Sequence, residues 1–174
     1  MTCIVGIIDK KGIYIGADSS VSAGNTQFAM SNNKKIFIDN DMIFGMAGDY
    51  AIFQEFQYRF APPDCDTDRD PLEYMLNSFA PALREQFETV FSGDNEFYIM
   101  IGFRGRLFQL DKNYAIIETS LDFDAIGSGE DIARGVLFAT PDLSPQERIK
   151  LALTAAERFT CFVRKPFIIK FLHS

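Results

Sequence analysis

The sequence predicts an α+β fold, a four-layer αββα sandwich with two sheets inside and helices outside. The segments that look like strands in the N-terminal third run almost continuously apolar, as strands covered on both faces do. The hydrophobic period then turns helical, returns to strand-like, and turns helical again before a last strand. Two blocks of helices interleaved with buried strands suffice to cover the outer faces of two stacked sheets.

The elements follow in order. Residues 2–9 (TCIVGIID), 12–20 (GIYIGADSS), 34–39 (KKIFID) and 42–48 (MIFGMAG) read as strands, separated by turn residues such as Asp9-Lys10-Lys11-Gly12 and Asp39-Asn40-Asp41. Ile52, Phe53, Phe56 and Phe60 then mark a helical face, and the Pro- and Asp-rich stretch 61–70 reads as a loop. Leu72, Leu76, Phe79, Leu83, Phe87 and Val90 recur at threes and fours, which predicts an amphipathic helix with those residues inward. Strands return at 96–103, 107–110 and 115–121. One helix is expected just after Gly129, burying Ile132, Val136 and Leu137. Another starts at Ser144-Pro145-Gln146-Glu147, where Ser caps, Pro takes the first helical position and Glu closes a capping box. Its inward face would carry Ile149, Leu153, Ala156 and Phe159, and PFIIKFL closes the chain as a strand.

At 174 residues, nearly half of them apolar and 18 of them Phe, the chain suits a single domain spanning 1–174 around a substantial core. No apolar run approaches the ~20 residues that span a bilayer. The opening MTCIVGIIDKK lacks the pattern of a signal peptide, so no membrane association and a cytoplasmic location are expected. A formal charge of −7 with dispersed Lys and Arg argues against a nucleic-acid partner. Cys3, Cys65 and Cys161 are odd in number and far apart, which fits neither a disulfide framework nor a metal site; no metal and no cofactor are expected. The single histidine, His173, sits next to the C-terminus, so a hydrolase built on this chain needs a general base other than imidazole.

Thr2 supplies one solution. A threonine hydroxyl is a weak nucleophile, but at a chain start its own α-amine, with a pKa of about 7.7–8.0, serves as base. Thr after an initiator Met is small enough for Met1 to be removed; a Thr at this position is also an ordinary start. Asp18 ends an apolar strand, either as a turn former or as a buried acid with a partner. Alternation sends Lys34 and Lys35 to opposite faces, so one can point inward toward Thr2 while the other is solvated; a fully solvated pair is the plainer reading. Gly48 lies where a strand gives way to a helix, offering an N–H to a developing oxyanion or merely a tight turn. Ser128, in Gly127-Ser128-Gly129, either caps the next helix or reaches a reacting centre.

Taken together, TCIVGI, GIYIGADSSVSAGNT, KKI, GMAGD and AIGSGEDIARG appear in an order that resembles the β-type subunits of proteasomes, most closely the HslV-type peptidase, a family of N-terminal nucleophile (Ntn) hydrolases. The resemblance covers essentially the whole chain. It implies Thr2 as nucleophile, Asp18 and Lys35 as its electrostatic support, Gly48 as oxyanion donor and Ser128 in the hydrogen-bond network of the amine. It implies substrate contacts from Ser22 along the peptide backbone, and from Val21 and Met46 toward a side-chain pocket. Lys35 matches because it directly precedes Ile36; counting forward from Asp18 selects Lys34 instead. The implied activity is a threonine-type endopeptidase within a self-compartmentalising homo-oligomeric ring, acting on protein or peptide and served by a separate ATP-dependent unfoldase. The alternatives are a catalytically silent scaffold subunit, or an Ntn amidohydrolase acting on a small-molecule amide. Two departures stand out. The late stretch ERFTCFVRKPF holds neither the Asp nor the Ser that complete the amine network in proteasome β-subunits, and Asp49 replaces a second small residue after Gly48.

Overall fold

β1 (Cys3–Asp9) and β2 (Gly12–Ala17) form an antiparallel pair with Ile4 opposite Ala17, closed by the turn at Lys10-Lys11. The computed structural model describes residues 2–23, 26–29, 35–90 and 96–174. β10 (Phe123–Gly127) adds to the free side of β1 and β11 (Ile168–His173) to the free side of β2, giving a sheet of order β10-β1-β2-β11. A second sheet runs in simple sequence order: β5 (Ile36–Asp39), β6 (Met42–Gly48), β7 (Phe97–Phe103), β8 (Arg106–Asp111) and β9 (Ile116–Glu118).

The layers are held by three separate cores. Ile4, Ile13 and Ile15 of the first sheet meet Ile43, Met100 and Leu107 of the second between the sheets, which is why β1, β2 and β6 are apolar on both faces. Outside the second sheet lie α1 (Tyr50–Arg59), α2 (Pro71–Tyr74), a π turn (Met75–Phe79) and α3 (Ala80–Val90). Their core is aromatic, with rings such as Phe44 and Phe56 meeting edge to face at 5.1 Å. Outside the first sheet lie α4 (Glu130–Ala139) and α5 (Pro145–Phe159), where Ala133, Ala152 and Ala156 leave room for Val5, Ile7 and Leu153. The result is the four-layer αββα sandwich. Among the described residues no helix is long and apolar enough to cross a membrane.

Five expectations need correction. The stretch 12–20 is not one strand: β2 ends at Ala17, Asp18 turns the chain by accepting the Ser20 N–H at 2.9 Å, and a hairpin of β3 (Ser20–Ala23) and β4 (Thr26–Ala29) follows. The expected strand 115–121 ends at Glu118, where residues 119–122 carry the chain across to the first sheet and β10 provides the outer partner of β1. Leu76 is 48% exposed, since the wider π turn rotates the helix face and places Tyr74 and Met75 inward instead. Phe159 is 76% exposed: the inward position one turn beyond Ala156 is Thr160, whose hydroxyl donates to the Ala156 carbonyl at 2.8 Å. In α4, likewise, fully buried Ala133 takes the place expected of Ile132, which is only half-buried. The side chain of Val90 lies outside the described residues, as does all of Lys34.

Candidate active site

Antiparallel register brings the site together. The start of β1 is flanked by the ends of both neighbours, Ala17 of β2 opposite Ile4 and Gly127 of β10 opposite Cys3. Asp18 and Ser128, one residue past those strand ends, therefore arrive on either side of Thr2. The end of β6 brings Gly48 from the other sheet, and the residue before β5 brings Lys35.

On the first side an ion pair is buried. Asp18 is fully enclosed and Lys35 is 4% exposed, with Lys35 Nζ 2.8 Å from Asp18 Oδ1. The same oxygen accepts the Cys3 N–H at 3.0 Å, and Oδ2 accepts the N–H groups of Ser20 at 2.9 Å and Arg164 at 3.4 Å. A buried charge survives only with such a set of partners. Burial holds the Lys35 ammonium below its usual value, and Asp18 pulls in the opposite direction. Burial, with Asp18 adding to it, pushes the Cys3 thiol up to about 12, so the residue beside Thr2 stays a neutral thiol.

On the second side Ser128 clasps Thr2. Its Oγ accepts the Thr2 N–H and donates to the Thr2 carbonyl, both at 3.2 Å. Ser128 does not cap α4, whose N-cap position is Gly129 with no side-chain bond. Gly127 at φ +94° lies so near that a Cβ there would sit 2.3 Å from the Thr2 carbonyl oxygen, and its N–H donates to Glu130 Oε2 at 2.9 Å.

Gly48 is required for its shape: at φ +119° an added Cβ would meet the Glu96 carbonyl at 2.1 Å. Strand amides alternate in direction. Met46 N–H reaches the Lys35 carbonyl and Asp49 N–H the Glu96 carbonyl, so the Gly48 N–H faces the Lys35 side of β6.

Two cavities open beside Thr2. One, of about 240 Å³, is bounded by Ser20, Val21, Lys35, Met46, Asp49, Tyr50 and Phe53 as well as Thr2 and Gly48. The other, of about 570 Å³, is bounded by Asp49, Glu96, Tyr98, Gln109, Ser128 and Glu130. Thr2, Asp18, Lys35, Gly48 and Ser128 thus surround one point, with Val21 and Met46 on the wall of the smaller cavity. Ser22 falls in β3, and its side chain lies outside the described residues. Among the described residues no group of three His, Cys, Asp or Glu is placed to hold a metal.

Sequence reasoning missed the part played by 160–166. The hydroxyls of Ser19 and Ser20 donate to the carbonyls of Pro166 and Phe162, and Ser19 N–H donates to the Arg164 carbonyl at 3.0 Å. Glu130 was also missed, although an acid at the first position of a helix that follows Gly-Ser-Gly is visible in the sequence.

The sequence profile of the proteasome subunit family matches residues 1–159. Among solved structures, Thiobacillus denitrificans BPH in complex with epoxomicin shares the fold with a TM-score of 0.73 at 21% identity, over 99% of this chain and 100% of that one. HslV from Trypanosoma brucei gives 0.73 at 18% identity, over 99% of each chain. Anbu from Yersinia bercovieri gives 0.74 at 17% identity, over 98% of this chain and 81% of that one. No curated protein matches the sequence.

Proposed function

The chain belongs to the proteasome subunit family, and from that premise we propose that it is a threonine-type endopeptidase whose nucleophile is Thr2, unmasked by removal of Met1. The observation that carries the reading is the convergence on Thr2 of the buried Asp18–Lys35 pair and the Ser128 clasp, at the meeting point of two cavities. The freed Thr2 amine takes the hydroxyl proton as Oγ1 attacks a peptide carbonyl. The Lys35 ammonium, held by Asp18, favours the alkoxide, and the Gly48 N–H receives the oxyanion. Collapse of the tetrahedral adduct breaks the C–N bond, and the amine returns its proton to the leaving nitrogen. An ester remains on Oγ1 until water, deprotonated by the same amine, hydrolyses it.

Val21 and Met46 make the smaller cavity suited to an apolar side chain of the substrate, whose backbone runs along β3 past Ser22. No cofactor enters this chemistry. We further propose a single domain over 1–174, a cytoplasmic location, and a homo-oligomeric ring that encloses the sites and is fed by a separate unfoldase. The relative Anbu from Pseudomonas aeruginosa forms a helical assembly, which supports self-association in general.

The test is intact-mass analysis before and after incubation with a peptide epoxyketone, a warhead that requires both the hydroxyl and the free amine of an N-terminal threonine. Loss of Met1 and one adduct per chain are expected. Thr2→Ala should fold normally, form no adduct and hydrolyse no peptide. Met1 loss without an adduct would favour the silent scaffold, for which the missing Asp and Ser in 157–167 already speak. Full peptidase activity in Thr2→Ala would sink the proposal.

A further inference from the structure

We propose that Glu130 is a positioning residue for Thr2, locking the Gly127-Ser128-Gly129 turn so that Ser128 grips Thr2 while holding a carboxylate on that side of the nucleophile. The inference rests on the peptidase reading above and deepens it. Glu130 is the first residue of α4, where any acid is favoured by the helix dipole. That preference does not account for its contacts. Oε2 reaches back to accept the Gly127 N–H at 2.9 Å, across the turn that carries Ser128. Oε1 meets Arg134 Nη1 at 3.3 Å, while Arg134 Nε lies 2.8 Å from Asp124 Oδ1 and Nη2 donates to the Ala125 carbonyl at 2.7 Å. Arg134 therefore pins α4 to β10, and Glu130 transmits that anchorage to the turn. Asp131, next in the same helix, is 96% exposed at its side chain and meets Arg134 at 3.7 Å, its one ion pair among the described residues.

Glu130 also lines the larger cavity together with Thr2 and Ser128. The charged and titratable groups around Thr2 are Asp18 and Lys35 on the buried side, Cys3 beside it, Asp49, Glu96 and Tyr98 across the cavity, and Glu130 with Arg134 behind the Ser128 turn. No acid lies in 160–166, and Glu130 adds negative charge behind the Ser128 turn, with Asp49 and Glu96 across the cavity. A nearby carboxylate stabilises the protonated amine, so removing the charge makes the amine a free base at lower pH.

The experiment compares the pH profile of kcat/KM on a fluorogenic peptide for wild type, Glu130→Gln, Glu130→Asp and Asp131→Asn, with thermal melting as a folding control. Glu130→Gln should lower kcat about 10-fold and move the acid limb down by about half a pH unit, the scale of one charge across a partly solvated gap. Glu130→Asp keeps the charge but draws back from Gly127, so kcat should fall with the limb in place. Asp131→Asn should resemble wild type. An unshifted limb in Glu130→Gln, or an equal shift in Asp131→Asn, would overturn the inference. Wild type that neither cleaves the peptide nor forms an epoxyketone adduct would overturn the peptidase reading on which it stands.

Discussion

On the Lys35 side of Thr2 the two opposite charges are buried against each other, whereas on the Ser128 side Glu96 and Glu130 face a wider and more open cavity, and Asp49 borders both. The carboxylates of Glu96 and Glu130 are bonded to Lys112 and Arg134, while Asp49, the N-cap residue of α1, accepts the Phe53 N–H through its carbonyl and makes no capping bond with its side chain. The contrast teaches that one wall is bound up with the fold itself and the other is adjustable. Interactions buried away from water are costly to break, and those at a solvated rim change stability little.

Lys35→Met breaks the comparison most severely, because it takes the cationic partner at 2.8 Å away from a fully buried Asp18. Loss of one partner of a buried pair costs about 3–5 kcal/mol, so melting should fall by roughly 10 °C, with peptidase activity lost. The pair also predicts a pH signature. Lys35 lies below its ordinary value of 10.5 in the folded chain, so the unfolded chain binds more protons between the two values. Stability from this group therefore rises with pH through that window. Denaturant melts should show a more positive slope of stability against pH in wild type than in Lys35→Met; equal slopes would mean that Lys35 is not desolvated.

Gly48→Ala acts at the junction of the two walls. Its Cβ would collide with the Glu96 carbonyl, and the strain at positive φ should cost about 1–3 kcal/mol in a chemical melt. Asp49→Asn should have the smallest effect, within about 0.5 kcal/mol in stability. Its value is to sharpen the comparison: the charge change should raise KM several-fold for peptides with Lys beside the scissile bond and leave apolar peptides unaffected. Equal KM changes for both would show that Asp49 does not read charge.

The part of this site that depends on residue type was legible in advance, and the part built from generic main-chain groups of 160–166 was not. Asp18, Lys35, Gly48 and Ser128 each carry a residue-specific property, and the structure assembles them around Thr2. The stretch ERFTCFVRKPF reads as a loss because it offers no Asp or Ser. It reaches Asp18, Ser19 and Ser20 instead through the Arg164 N–H and the carbonyls of Phe162, Arg164 and Pro166, groups that any sequence supplies. The fold shows the same division. Buried strands and the face of α1 declared themselves by period, but the π turn at Met75–Phe79, which re-aims Leu76, and the crossing of the chain between β9 and β10 depend on packing from distant segments.

The Arg164–Asp18 bond joins residues 146 positions apart, and β2 gains its outer neighbour only when β11 exists. At about 5–20 residues per second, synthesis needs roughly 7–30 s to span that separation of 146 residues. Throughout that interval a nascent chain has its first residues in the open and its Asp18 turn without the closing contacts. A Thr2 unmasked on the ribosome therefore waits in an unfinished setting until the last segment is released and docks.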